Sequence, residues 1–286
     1  MIAITGATGT IGRVLVRTLL DGGEEVTAIS RGTAPLPDGV AHRRADLGDP
    51  HGLGAAVAGA EAVFLLFTGP QLVTGPRPAE YLEALRAAEV GRVVLLSSQV
   101  AGTRPHLESH ARSAAFEQAL RDAEPEWTVL RPSGFFSNTI AWRDSIVTEN
   151  TVYTPFPDIA LPMVDPADIA AVAAAALRGG HAGRTYEITG PAPITPREQV
   201  QILTRALDRP VRLVELDREQ ARANLLRFVP PAVADGTLDV LGTPLPGEQA
   251  TGSGVPDVLG RPATGYTEWV ARNRAAFAAT SAPVGA

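Results

Sequence analysis

The chain has 286 residues, 45% hydrophobic and 20% charged, a globular mix that excludes wholesale disorder and suits one large domain or two small ones fused. It has no cysteine, and all 25 basic residues are arginine. Disulfides, thiolate metal sites, iron–sulfur clusters, cysteine nucleophiles, Schiff-base lysines and Walker-type lysines are therefore excluded. Acidic residues number 31, so the net charge is −6, and a nucleic-acid partner, which needs a basic footprint, is disfavoured.

The elements follow in chain order. Ile2 to Thr5 reads as a strand, and Ile11 to Leu20 as a helix with Ile11, Val14, Leu15, Thr18 and Leu19 on one face, stopped by Gly22-Gly23. Glu25 to Ser30 is the second strand, Val40 to Ala45 a weak third and His51 to Ala58 a short helix. Ala62 to Phe67 and Arg92 to Ser97 are continuous apolar runs of the kind buried on both faces of a sheet. Between them Ala79 to Glu89 is helical. His106 to Ala123 is a longer helix, and Trp127 to Arg131 a further strand. A helix from Asp165 to Leu177 starts with proline and acids in its first turn. Thr185 to Thr189 returns as an edge strand, and helices are expected near 196–207, 217–228 and 264–279.

Repeated β-α units with right-handed crossovers imply an α/β fold, a Rossmann-type doubly wound parallel sheet with a smaller C-terminal α/β substrate lobe. The boundaries are 1–190 for the dinucleotide-binding domain, with 133–162 contributing to a cleft, and 191–286 for the lobe. The tail from Ser281 is expected to fray. No basic start precedes an apolar stretch, and the longest apolar run, Ile169 to Leu177, is about half a membrane span, so a cytoplasmic protein without a membrane partner is expected. No cluster of histidines and acids has metal-ligand spacing.

Gly6-Ala7-Thr8-Gly9-Thr10-Ile11-Gly12 joins the first strand to the first helix. Gly6 lets the chain turn, Gly9 lets the backbone approach a pyrophosphate, and Gly12 lets the helix pack closely on the sheet. Free N–H groups at the helix start then face the anion. A purely structural turn would use the same glycines, but a second strand on schedule favours dinucleotide binding. An acid closing that strand would select NAD; Ser30-Arg31 stands there instead, and arginine's planar fork suits the 2′-phosphate of NADP(H). Arg31 as a solvated loop charge is the alternative. Asp46-Leu47 after the third strand suits the adenine amino group, and Thr68, Gly69, Ser97 and Ser98 end the fourth and fifth strands on the same crevice.

The segments GATGTIG, LLSS, WTVLRPSGFFSN, VDPADIA and YEITGP resemble the NmrA-like group of atypical short-chain dehydrogenases/reductases from Met1 to about residue 190, and more faintly to the helix holding Tyr266 and Trp269. The resemblance implies an NADPH reductase, quinone reductases included, or a cofactor-sensing regulator that acts through a protein partner. It also implies that Phe135, Phe136, Ser137 and Asn138 lie on the nicotinamide and substrate side. The chain departs from the wider class in lacking a Tyr-x-x-x-Lys pair. Where relatives place lysine or histidine four residues before a helix glutamate, matched here by Glu117, this chain has Ser113.

His106, His110, Ser113 and Glu117 share one helical stripe. His110 and Ser113 are the catalytic candidates, since an ordinary imidazole titrates near neutrality; a surface cap is the alternative for His110. Phe135 and Phe136 either stack on an aromatic ligand or pack sheet against lobe. Trp142, Phe156 and Met163 extend an apolar pocket, Asn138 donates to a carbonyl or holds its loop, and Arg131 pairs with Asp165 or Asp168. The expected reaction is hydride transfer from NADPH to a quinone or aromatic polyketide-like carbonyl compound, because such an acceptor depends little on a strong enzyme acid. The oligomeric state is open, a homodimer included.

Overall fold

The computed structural model describes residues 1–32, 35–123 and 125–278, so the tail from Ser281 lies outside the described residues. The first half of the chain runs β1 (Ile2–Thr5), α1 (Thr10–Asp21), β2 (Val26–Ser30), β3 (Ala41–Arg44), α2 (Pro50–Val57), β4 (Ala62–Leu66), α3 (Pro78–Ala87), β5 (Arg92–Leu96), α4 (Gln99–Thr103), α5 (Glu108–Arg121) and β6 (Glu126–Pro132). The second runs α6 (Arg143–Glu149), β7 (Thr151–Thr154), α7 (Pro166–Arg178), β8 (Arg184–Ile188), α8 (Pro196–Leu207), β9 (Arg212–Glu215), α9 (Arg218–Leu225), α10 (Pro231–Gly242), α11 (Pro246–Gln249), α12 (Gly254–Leu259) and α13 (Tyr266–Asn273).

Seven strands pair in the order β3-β2-β1-β4-β5-β6-β8, every pair parallel. This is the Rossmann order with one added edge strand, as the apolar runs predict. Alternation along the strands divides the core. Ile2, Ile4 and Phe64 face Leu15, Leu19, Ile169 and Leu177 of α1 and α7. Ala3, Val63, Val93 and Val129 face Leu53, Tyr81, Leu85 and Phe116 of α2, α3 and α5. Because all strands are parallel, their carboxyl ends lie on one edge.

A third core holds Phe136, Ile146, Val152, Val200, Leu203, Tyr266, Trp269 and Phe277. The small lobe is thus drawn from both sides of residue 190. It carries a two-stranded parallel sheet, β7 with β9, that periodicity does not reveal because each strand is four residues long. Part of the C-terminal chain returns to the main body: α12 sits on α7 and β8, where Gly252 and Gly254 approach the Glu187 carbonyl so closely that a Cβ would lie 2.4 and 2.6 Å from it.

The helix expected from His106 to Ala123 is α5, and a short helix not expected from the sequence, α4, precedes it. Arg104, which precedes Pro105, leaves the helical region (φ −134, ψ 62), as proline disfavours a helical neighbour, and α5 begins only at Glu108. His106 therefore leaves the proposed stripe.

Candidate functional site

The parallel sheet brings Gly6 to Gly12, Ser30-Arg31, Asp46, Thr68-Gly69, Ser97-Ser98 and the segment after β6 to one edge. At its centre β1 ends in Thr5, whose hydroxyl donates to Phe64 O at 2.9 Å and accepts from Leu66 N at 2.9 Å, locking β1 to β4. Gly6 turns with φ +64, and a Cβ there would meet Leu66 Cδ2 at 2.8 Å. The Gly9 amide donates to Gly6 O at 2.9 Å. Gly9 caps α1 without a side-chain bond, and the first turn holds no acid, so the leading amides stay open to an anion. Thr8 and Thr10 flank the opening. The Ile11 side chain is core, so its cofactor-facing group is the backbone amide.

Beside this loop, Arg31, Asp46, Asp49 and Gly52 line a hollow of about 410 Å³ between the ends of β2 and β3. Ser30 Oγ donates to Gly32 O at 3.0 Å and contacts His42 Nε2 at 2.9 Å, so it serves the turn. Asp46 Oδ1 accepts from Gly48 N at 2.8 Å, and the Leu47 carbonyl accepts from the Tyr81 hydroxyl. Thr68 and Gly69, the latter with φ +61, stand exposed past β4. Arg112 of α5 holds the loop that follows, donating to the carbonyls of Gln71 at 2.8 Å and Pro76 at 2.5 Å.

At the end of β5, Ser98 Oγ accepts from Val100 N at 3.2 Å and caps α4. Ser97 Oγ donates to Glu117 Oε1 at 2.5 Å. Glu117 is 1% exposed and also accepts from Arg131 at 2.6 Å and Arg121 at 2.8 Å. Burial pushes this carboxyl up, but the bonds from Arg131 and Ser97 and the arginine charge outweigh it, and the net shift is down. The pairing expected for Arg131 is corrected: it binds Glu117 and Glu187, while Asp165 pairs with Arg272 and Asp168 with Arg261 at 2.7 Å. Arg131 lies on a strand, whereas Asp168 lies on α7 and Asp165 caps its start, on the far side of the sheet from α5. Glu187 Oε2 is enclosed without a partner, and burial raises the Glu187 carboxyl despite Arg131.

His110 has a setting other than that of an ordinary exposed imidazole. It sits in the first turn of α5, its Nδ1 2.9 Å from Ser109 Oγ. Burial lowers its pKa from 6.5 to about 4, against a weak opposing pull from Glu248. The ring is neutral near pH 7 and is no imidazolium acid. The unfolded chain protonates this histidine as pH falls below 6.5, whereas the folded chain resists until about 4, so stability declines through that window. His110→Gln is expected to flatten the decline by about 1–2 kcal/mol, read from urea midpoints across the window; an unchanged slope would show that the imidazole is not held neutral. Ser113 is half-buried and makes no side-chain hydrogen bond among the described residues.

After β6, Phe136 is 1% exposed and packs on Tyr266 with ring centroids 5.1 Å apart, so it is lobe core and not an open stacking face. Phe135 and Trp142 are half-buried, and Asn138 is exposed. Phe156 and Met163 also belong to the lobe: Phe156 meets Gly242, and Gln199 Nε2 donates to Met163 Sδ at 3.1 Å. A hollow of about 390 Å³ lies behind Phe136, toward α8 and Tyr266.

Sequence reasoning misses Arg44, which also lines the hollow beside Arg31, and Glu187. Strand alternation across Arg43-Arg44 is the signal that separates the first of these from its neighbour. It also misses the disposition of the tyrosines. Tyr81 binds Leu47 O, Tyr153 donates to Glu149 at 2.6 Å, Tyr186 contacts His181 at 2.8 Å, and Tyr266 donates to Thr139 at 2.9 Å with burial pushing its hydroxyl far up.

No helix among the described residues is long and apolar enough to cross a membrane. The NAD(P)H-binding family model matches residues 6–179. The chain is 39% identical to (4-alkanoyl-5-oxo-2,5-dihydrofuran-3-yl)methyl phosphate reductase of Streptomyces griseus, over 97% of this chain and 99% of the relative. It is 30% identical to an NAD(P)H azoreductase of Xenophilus azovorans, over 98% and 100%. The Escherichia coli NADPH-dependent quinone oxidoreductase, solved with NADPH, superposes with a TM-score of 0.79 at 26% identity, over 96% of this chain and 100% of that one. With the glycine cradle, the strand order and these similarities together, the chain belongs to the NAD(P)H-binding family, as an NmrA-like atypical short-chain reductase.

Proposed function

We propose that this reductase delivers hydride from NADPH to a quinone or another conjugated aromatic carbonyl acceptor, in the cytoplasm. The observation that carries this reading is the absence of a poised side-chain acid around the strand ends, among the described residues. All four tyrosine hydroxyls are engaged elsewhere, His110 is neutral, and the chain has no lysine. Ser97 commits its proton to Glu117, so toward the crevice its oxygen only accepts.

The residues suited to hold the dinucleotide are the Gly6 to Gly12 loop at the pyrophosphate, Arg31 at the adenosine end, Asp46 at the adenine, and Thr68, Gly69 and Ser97 toward the nicotinamide. Bound NADPH supplies the hydride. Phe135, Asn138 and Trp142 form the substrate-facing side of this reading, and Ser113 offers a hydroxyl that can donate to an acceptor oxygen. An unconjugated ketone becomes a strongly basic alkoxide on taking hydride and needs an acid within reach. A quinone becomes a delocalised oxyanion and can take its proton from water. The oxo-dihydrofuran in the Streptomyces relative's name is an acceptor of the same conjugated kind.

The test is anaerobic mixing with NADPH and a panel of quinones, conjugated furanones and simple ketones, followed at the nicotinamide absorbance band. Consumption is expected with the conjugated acceptors and not with the simple ketones. Oxidation no faster than the blank with every conjugated compound would overturn the proposal.

A further inference from the structure

β3 carries His42-Arg43-Arg44 at the open edge of the sheet, where successive side chains face opposite sides. The structure splits the arginine pair accordingly. Arg43 turns to α2, and its Nη1 donates to Ala56 O at 3.0 Å and Ala58 O at 2.7 Å. It thereby satisfies terminal carbonyls of a helix that has no basic residue in its last turn. Arg44 shares the opposite face with His42. The Ser30 proton goes to Gly32 O, so the His42 Nε2–H must donate to Ser30 Oγ, and this bond fastens β3 to the end of β2.

Arg44 is the register partner of Ser30, which places it one strand spacing, about 4.8 Å in backbone terms, from the residue that precedes Arg31. Both arginines line the hollow of about 410 Å³. Neither makes a hydrogen bond or ion pair among the described residues, although Asp46 and Asp49 line the same hollow. Those two carboxylates oppose an incoming phosphate. Arg31 alone would leave the hollow one charge negative; the second guanidinium balances it.

We infer that Arg44 is a specificity-determining residue for the phosphorylated dinucleotide, closing with Arg31 on its 2′-phosphate from adjacent strand ends. The inference rests on the reading that the Gly6 to Gly12 loop seats the pyrophosphate, because that seat sets the adenosine ribose at the end of β2. Each guanidinium offers paired donors, and a phosphate monoester presents three terminal oxygens, enough for both. Arg43 is excluded from this role by its bonds to α2. A lysine at position 44 would keep the charge and lose the fork.

The experiment is titration calorimetry of the full chain, Arg44→Ala, Arg44→Lys and Arg31→Ala with NADPH, NADH, adenosine 2′,5′-bisphosphate and AMP. Urea unfolding verifies that each variant is folded. Arg44→Ala is expected to weaken NADPH and the bisphosphate by about 10- to 100-fold while leaving NADH and AMP within about twofold. Arg44→Lys falls between it and the parent chain. An unchanged NADPH-to-NADH affinity ratio in Arg44→Ala, with tight NADPH binding by the parent, overturns the role of Arg44 alone. Equal weakening of NADPH and NADH overturns it too, since that reports a general charge effect. A parent chain that binds neither dinucleotide overturns the glycine-loop reading and this inference with it.

Discussion

Gly12→Ala is expected to abolish NADPH binding in calorimetry and to cost about 1–3 kcal/mol of folding stability. A Cβ at residue 12 would lie 2.1 Å from Gly6 O, 2.7 Å from Ala7 Cα and 2.8 Å from Gly6 C. These are backbone atoms, so no side chain can swing aside. Either the turn opens or α1 backs away from β1, and both movements take the leading amides of the helix off the pyrophosphate position. Gly23→Ala is the control. Unlike Gly12, which is helical, it has an unfavourable left-handed backbone, with φ +83, but its Cβ would meet nothing within 4 Å. That variant pays backbone strain of about 1 kcal/mol or more and should bind NADPH like the parent chain. If Gly12→Ala binds as tightly as Gly23→Ala, the close approach of α1 to the loop is not what builds the cradle.

Arg131→Met is expected to destabilise the fold by about 3–5 kcal/mol near neutral pH. The substitution leaves Glu117, 1% exposed, with only the more exposed Arg121 and the Ser97 hydroxyl, and leaves Glu187 without its cation. An uncompensated buried carboxylate costs far more than the pair gains, because desolvation is no longer offset. The pH dependence gives the effect its signature. In the parent chain the Glu117 carboxyl is held below its ordinary value of 4.5, so its contribution is present above that value and is lost as pH falls through the lower folded value. Without Arg131, burial raises that carboxyl, and protonation relieves the variant on acidification. The gap between parent and variant should therefore narrow as pH falls below the ordinary carboxylate range, read from urea unfolding at several pH values. A constant gap would mean that lost packing, not charge, is the cause. Glu117→Gln combined with Arg131→Met should recover part of the loss. Because Glu117 also orients Ser97, kcat/KM with a quinone should fall further in Arg131→Met than in a variant of equal stability away from the site.

The parallel sheet was legible because AVFLL and RVVLL can be satisfied only by burial on both faces, and the glycine loop because its spacing is tied to a strand before and a helix after. The start of α7 was legible from its proline and acids. The lobe was less so. β7 and β9 are too short for a period to register, and the core around Phe136 and Trp269 joins segments more than a hundred residues apart. Pro105 marks the break between α4 and α5, but α4 is five residues long, too short for a helical period to register, and α5 begins two residues later than the pattern suggests.

Local chemistry along the chain thus decided the strand order class, the cradle and the absence of cysteine and lysine chemistry, since hydrophobic period and glycine spacing act over a few residues. Tertiary structure decided charge partners and protonation. Arg131 meets Glu117 and not an aspartate, burial lowers the pKa of His110, every tyrosine is spent, and Arg44 has no partner among the described residues where Arg43 is bound. The reason is that desolvation and ion pairing depend on what distant segments bring within a few ångströms, and no spacing in the chain encodes that distance.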